Sequence, residues 1–322
     1  MPVSENNRYP RICFIAPSTR LVAGDKSILL RTVNLLRKGL AAEVVFLSPY
    51  LFTSDDQIEH VTASAAERTK EFKTLIRKFN LIASVAGGTG AEDLIMTIDN
   101  EDFRTVRKQK PLFIGFSDFT FLLSEIYLQC RMPGILFPSL KLTPQNSKKL
   151  LALIAGEEVA YQGSSWLTTP PARKISGIPI GGNLTTFVNF LNRANPPRLN
   201  WRKHILFIED IAIDVEDLHR LLAALRRHQV FKRIRGVVIG SLSTDRTTPR
   251  GKKFQKEALS FLKVYLAEVM KRRQKMGNSL PILLVPNFGH NITRNLAAIP
   301  IGGYVSIARS KKMTFRLSKK AR

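Results

Sequence analysis

Cysteine is almost missing from this chain. There are two in 322 residues, Cys13 inside an apolar stretch and Cys130 near the end of a helical pattern. Two isolated thiols exclude a disulfide framework and a thiolate metal cluster, and they fit a reducing compartment. Long hydrophobic runs are also lacking: no apolar stretch approaches the roughly 20 residues of a membrane-spanning helix. Residues 1–10 are polar, lead straight into a strand and show no secretory signal. A cytoplasmic location and no membrane partner are therefore expected. Acidic residues are scarce, 25 against 50 Lys and Arg, for a formal net charge of +25. Such an excess attracts polyanions. Yet the basic residues are scattered in small groups, and no helix-turn-helix, zinc-finger or RNA-recognition signature accompanies them. No internal repeat or coiled-coil heptad occurs. Charge alone decides nothing about function.

What is present is a well-patterned globular chain, 44% apolar, whose length suggests two domains. Apolar strands are expected at residues 11–16, 42–47, 81–85 and 112–114, with helices over 26–39 and 65–80. Strands that are apolar throughout and alternate with helices argue for a parallel sheet covered on both faces. Thr168-Thr169-Pro170-Pro171 reads as linker. A second strand–helix unit follows, with strands at 204–208, 236–240 and 282–285 and helices over 215–228 and 254–273. Residues 297–301 and 304–308 flank Gly302-Gly303 like a hairpin, and the basic tail from 311 onward reads as exposed. The expected domains are 1–145 and 175–322, joined by a linker over 146–174.

In parallel sheets ligands gather beyond the carboxyl ends of strands. Two motifs sit there. Gly87-Gly88-Thr89-Gly90 follows the third strand; it lacks the Lys-Ser/Thr of a nucleotide-binding loop. Ser117, in Gly115-Phe116-Ser117-Asp118-Phe119, follows the fourth strand and opens a helix. A serine there can be a plain helix cap, or a nucleophile whose oxyanion meets helix N–H groups. The G-x-S-x-G elbow is not met, because Phe119 stands in the last glycine's place. A nucleophilic serine needs a base, and there are five histidines. His290, in the turn Pro286-Asn287-Phe288-Gly289-His290 beyond a strand, is the best placed; His60, His204, His219 and His228 have plainer settings. Glu209 ends an apolar strand and can orient the imidazole, or simply precede a helix. Asn183 can cap its helix or reach substrate, and the Asp118 side chain has the same two options.

Together these blocks resemble the LD-carboxypeptidase family of serine peptidases, which includes the microcin C immunity proteins. The matching motifs are Ile15-Ala16-Pro17-Ser18, Gly87-Gly88-Thr89-Gly90, Gly115-Phe116-Ser117-Asp118, Gly181-Gly182-Asn183-Leu184, Phe207-Ile208-Glu209-Asp210, Gly289-His290 and Ile299-Pro300-Ile301-Gly302, spanning nearly the whole chain. The resemblance implies an α/β protein with an N-terminal flavodoxin-like parallel sheet and a smaller C-terminal α/β domain of swivelling type. It implies Ser117 as nucleophile, Glu209 as orienting acid and His290 as base. The backbone of Asp118 with Gly87 or Gly88 would form the oxyanion hole, and Asn183 and Thr89 would face substrate. It further implies a homodimer that uses no metal or organic cofactor and removes a terminal D-alanine from cytoplasmic murein tetrapeptides during wall recycling. Three departures from the family pattern bear on specificity. Ala86 and Thr89 stand where arginine and tyrosine are usual, Ile213 lies where an acid is usual, and the segment after His290 is long. Two other readings are a microcin-immunity-type amidase acting on peptide-nucleotides, and a non-catalytic basic protein binding nucleic acid or anionic wall polymer.

Overall fold

The computed structural model describes residues 9–54, 61–243, 249–275, 277, 279–292 and 295–318. The chain divides into two units, Met1–Glu157 with Ala298–Gly302, and Glu158–Ala297 with Gly303–Arg322.

The first unit alternates strands β1 (Arg11–Ile15), β2 (Val44–Leu47), β3 (Leu81–Ser84), β4 (Leu112–Gly115) and β5 (Gly134–Leu136) with helices. These are α1 (Lys26–Gly39), α2 (Ala65–Lys78), α3 (Ala91–Met96), α4 (Asn100–Gln109), α5 (Thr120–Cys130) and α6 (Pro144–Ile154). Local chemistry marks the helix starts. Ser64 with Glu67 and Asp99 with Asp102 form capping boxes on α2 and α4, and Thr143 caps α6 ahead of Pro144. The sheet runs β5-β4-β3-β1-β2, all neighbours parallel. That is the flavodoxin-type order, in which strand succession reverses between β1 and β3 and a crevice opens at their carboxyl ends. Strands β3 and β4 are buried at every position, as expected of a sheet covered on both faces.

The second unit contains β6 (Val159–Gln162), β7 (Ser165–Trp166), β8 (Ile175–Asn183), α7 (Leu184–Asn192), β9 (His204–Ile211), α8 (Val215–Arg227), α9 (Val230–Arg233), β10 (Gly236–Ser243), α10 (Pro249–Gln274) and β11 (Ile282–Leu284). Strand β12 (Ile299–Ile301) belongs to the first unit, whereas β13 (Tyr304–Ile307) and β14 (Lys312–Arg316) complete the second. Its sheet has the order β6-β14-β13-β8-β9-β10-β11-β7. The central four strands, β8 to β11, are parallel and the outer pairings antiparallel.

Three expectations need correction. The hairpin at Gly302-Gly303 does not form: β12 pairs antiparallel with β5, while β13 pairs with β8 and β14. Ile299 and Ile301 are buried against the first sheet, and Pro300 is tolerated because β12 is an edge strand. The segment 146–174, expected as linker, carries most of α6 and both β6 and β7. Leu150, Leu153 and Ile154 fix α6 in the first core. Finally, the basic tail is not simply exposed. In β14 Met313 and Phe315 are fully buried while Lys312, Thr314 and Arg316 alternate outward, the period-two pattern of a strand. Residues 319–322 and His60 lie outside the described residues.

Candidate active site

Strand β4 ends at Gly115, and two residues later Ser117 adopts φ +58°. A left-handed non-glycine backbone costs free energy and marks a position the surroundings hold in place. Two glycines make that turn possible. A Cβ on Gly115 would lie 2.1 Å from the Phe119 ring, which is fully buried; the strand's glycine therefore makes room for Phe119. A Cβ on Gly87 would lie 2.7 Å from Ser117 Cβ and 3.0 Å from its Oγ. The bend after β3 thus passes directly against the serine. Gly88 has φ +108°, and a Cβ there would overlap the Thr19 hydroxyl. Thr19 N–H in turn donates to Gly87 O at 3.1 Å. Loops from the carboxyl ends of β1, β3 and β4 therefore converge around Ser117. Thr89 lies exposed between Gly88 and Gly90.

Asp118 does not cap its own helix. Its Oδ2 accepts from Ala91 N–H at the start of α3 and from Ser18 Oγ–H, both at 2.8 Å. Burial pushes the carboxyl up from its ordinary value, and those two bonds oppose the rise. The side chain ties the β1 and β3 loops to the serine turn.

Arg68 does similar work and was not singled out in the sequence. It is buried, with Nη1 donating to Pro17 O and Gly90 O, both at 2.6 Å. Its spacing with Phe72, Leu75 and Ile76, all buried on α2, was the available signal: a cation on an apolar stripe.

In the second unit, β9 carries Glu209 and Asp210 on opposite faces, as alternation requires. Glu209 is fully buried. Its Oε2 pairs with His290 Nδ1 at 2.6 Å and accepts from the His290 backbone N–H at 3.1 Å. Oε1 is buried with no hydrogen-bond partner among the described residues, so the carboxylate's polar interactions go to His290. Burial raises the Glu209 carboxyl above its ordinary value, and His290 opposes that rise by charge and by both hydrogen bonds. An ionised carboxylate only accepts, so Nδ1 carries the proton and the lone pair of the neutral ring sits on Nε2.

His290 reaches Glu209 because its turn is drawn onto β10. Ser241 N–H donates to Phe288 O at 2.8 Å, and the Phe288 ring meets Phe207 edge-on at 6.1 Å. The approach needs glycine twice. A Cβ on Gly240 would lie 2.4 Å from Phe288 O, and one on Gly289 (φ +129°) 2.6 Å from Ser241 Cβ.

Asp210 faces the other way. It accepts from Asn183 Nδ2 at 2.7 Å and from the Thr185 N–H and hydroxyl at 2.9 and 2.7 Å. Asn183 Oδ1 accepts from Thr186 N–H at 3.0 Å, capping α7. The helix-cap alternative for Asn183 is therefore occupied. The remaining described histidines have packing roles. His204 Nδ1 lies 2.8 Å from Asn200 O, His228 Nε2 lies 2.8 Å from Asn192 Oδ1, and His219 meets the rings of Phe261 and Tyr265. Among the described residues no cluster of His, Cys, Asp and Glu has the arrangement of a metal site. No helix among them is long and apolar enough to cross a membrane.

The two units, each taken by itself, match two known domains. Residues 12–136 match the LD-carboxypeptidase N-terminal domain and residues 176–307 the LD-carboxypeptidase C-terminal domain. A candidate carboxypeptidase of Treponema pallidum (strain Nichols) is 26% identical over 329 residues, covering 92% of this chain and 89% of its own. Among solved structures, muramoyltetrapeptide carboxypeptidase from Oxalobacter formigenes superposes with a TM-score of 0.70 at 20% identity, over 97% of this chain and 99% of the other. The MccF protein in complex with glutamyl sulfamoyl guanosine does so with a TM-score of 0.71 at 19% identity, over 95% of each chain. At these identities the two structures establish the shared two-domain fold.

Proposed function

The chain belongs to the LD-carboxypeptidase family and is a peptidase, and from that premise we propose that it works as a serine carboxypeptidase through Ser117, His290 and Glu209. The observation that carries the reading is the pairing of fully buried Glu209 with His290 Nδ1 at 2.6 Å. A basic binding protein has no use for a buried carboxylate that orients one imidazole, whereas a general base requires it. The left-handed Ser117 backbone at the end of β4 supports the nucleophile's role.

The substrate in this reading is a murein tetrapeptide, the chemistry named for the Oxalobacter formigenes relative. Nε2 of His290 takes the Ser117 hydroxyl proton as Oγ attacks the carbonyl of the diamino acid's L-centre. The tetrahedral oxyanion is met by the Asp118 N–H and one N–H of the Gly87-Gly88 bend. The C–N bond then breaks, the imidazolium protonates the leaving amine, and D-alanine departs. Water, deprotonated by the same imidazole, cleaves the seryl ester to release the tripeptide. The steps require Ser117 Oγ and His290 Nε2 to come within hydrogen-bond reach. Thr89 is the proposed substrate contact from the β3 bend. Asn183 is proposed to shape the substrate site through its cap. The proposed enzyme is cytoplasmic and homodimeric, and works without metal or organic cofactor.

Incubating the full chain with a defined murein tetrapeptide, and separately with an aminoacyl sulfamoyl nucleoside of the kind bound by MccF, tests this. We expect D-alanine release that Ser117→Ala lowers about 10³-fold or more, with circular dichroism and melting unchanged. Cleavage of the nucleoside substrate alone would transfer the reading to the immunity-type amidase. No hydrolysis of either, with salt-dependent binding to DNA, would leave the binding-protein reading.

A further inference from the structure

Arg273, near the end of α10, is a buried cation with no counterion among the described residues. It is 8% exposed, and among the described residues it forms no ion pair. Its hydrogen bonds to described residues come from Nη1, to Phe231 O at 3.1 Å and Ile234 O at 2.7 Å. Those carbonyls lie at the end of α9, so one nitrogen suffices for a helix C-cap. Nε is buried with no acceptor among the described residues. A guanidinium stays charged at any physiological pH, and an uncompensated one inside a protein is costly. Burial alone pulls its pKa down from the ordinary value, with no acid opposing.

The same side chain lines a cavity of about 330 Å³ within the second unit, bounded by α8, α9 and α10. Arg226, Lys232 and Arg272 share its wall with one carboxylate, Glu268, and with the apolar side chains of Phe231 and Val269. Glu268 is taken up by Arg272, with Oε1 to Nη2 at 2.6 Å. That leaves Arg226, Lys232 and Arg273 facing one space without an ion-pair partner among the described residues. The volume falls in the range of small-ligand sites.

We propose that this cavity is an anion site for a small phosphorylated organic ligand of the nucleoside-phosphate class. The phosphate lies against Arg273, Arg226 and Lys232, and the apolar part of the ligand against Phe231 and Val269. The cavity is larger than a bare phosphate would fill, which favours an organic ligand. The site uses none of the residues assigned to peptide hydrolysis and is independent of that assignment.

Isothermal titration of the full chain with AMP, ATP and inorganic phosphate, at fixed moderate salt, tests the proposal. One AMP or ATP per chain is expected, binding more tightly than inorganic phosphate. Arg226→Gln and Lys232→Gln, both at exposed positions, should each weaken binding about tenfold with the melting temperature checked alongside. Arg273→Lys keeps the charge but loses the fork, and should weaken it comparably. Lys108→Gln, on α4 of the other unit, should change nothing. Equal weakening by Lys108→Gln, several anions per chain, or no binding would overturn the site. Binding of inorganic phosphate as tight as that of AMP would overturn the organic ligand. Binding of a short RNA oligonucleotide without binding of any mononucleotide would do the same.

Discussion

Glu209 receives two N–H groups from the same residue, the ring Nδ1 and the backbone N–H of His290, on a single oxygen. The carboxylate therefore fixes the ring's tautomer and also the backbone turn from which the ring projects. Glu209→Gln keeps an acceptor oxygen and removes the charge that stabilises the imidazolium. Turnover should fall by about 10²–10⁴-fold, with KM changed little. A KM-against-kcat measurement on the murein tetrapeptide checks it; a rise confined to KM would assign Glu209 to binding instead.

Gly87→Ala acts on the serine turn within the first unit. The new Cβ, 2.7 Å from Ser117 Cβ, forces one of the two loops to shift. A displacement of about 1 Å should cost about 10²-fold in kcat/KM. Overpacking should lower stability by about 1–3 kcal/mol, so the folded fraction at assay temperature must be measured alongside the rate.

Asp118→Asn gives a pH signature. Burial raises the Asp118 carboxyl in the folded protein, against about 3.9 for the unfolded chain. Between those two values the folded state holds more protons than the unfolded state, so this group lowers stability as pH rises. Asparagine can still accept from Ala91 N–H and Ser18 Oγ–H through Oδ1. The Tm of the variant relative to the parent should therefore climb as pH increases from about 4, then level off. A Tm difference that is flat from pH 4 to 7 would contradict the raised pKa.

Much of this architecture was legible because it rests on local rules. The strands leading to Gly87 and Ser117 read as uninterrupted apolar runs ended by glycine, and both ends do lie side by side in the first unit. Glu209 and His290 each stood just beyond or at the end of an apolar strand, and the structure joins them. What could not be read depended on distant partners. The Asp118 side chain read equally as a cap for its own helix or a substrate contact, but its acceptor serves Ala91 and Ser18, brought near only by the sheet order. Arg68 read as one more charge on a charged helix, because the carbonyls of Pro17 and Gly90 come from other loops. Residues 297–308 satisfied hairpin chemistry locally. Pairing with β5 on one side and with β8 and β14 on the other outweighed the turn.

Phe315 shows how charge concealed a core strand. It is fully buried, with the rings of Tyr161 and Phe207 centred 5.9 and 5.8 Å away. Phe315→Ala should destabilise the second unit by about 3–5 kcal/mol. Urea titration followed by circular dichroism measures this; a loss below about 1 kcal/mol would mean the terminal strand is dispensable.

The return of residues 298–302 to the first sheet has a consequence for dissecting the molecule. No single cut of the polypeptide separates the two units intact. A fragment stopping at residue 157 would display the flank of β5 bare, with its N–H and C=O groups open to any extended peptide nearby. Such a piece is prone to self-association. The returning strand acts as a seal on an edge that the preceding five strands leave open.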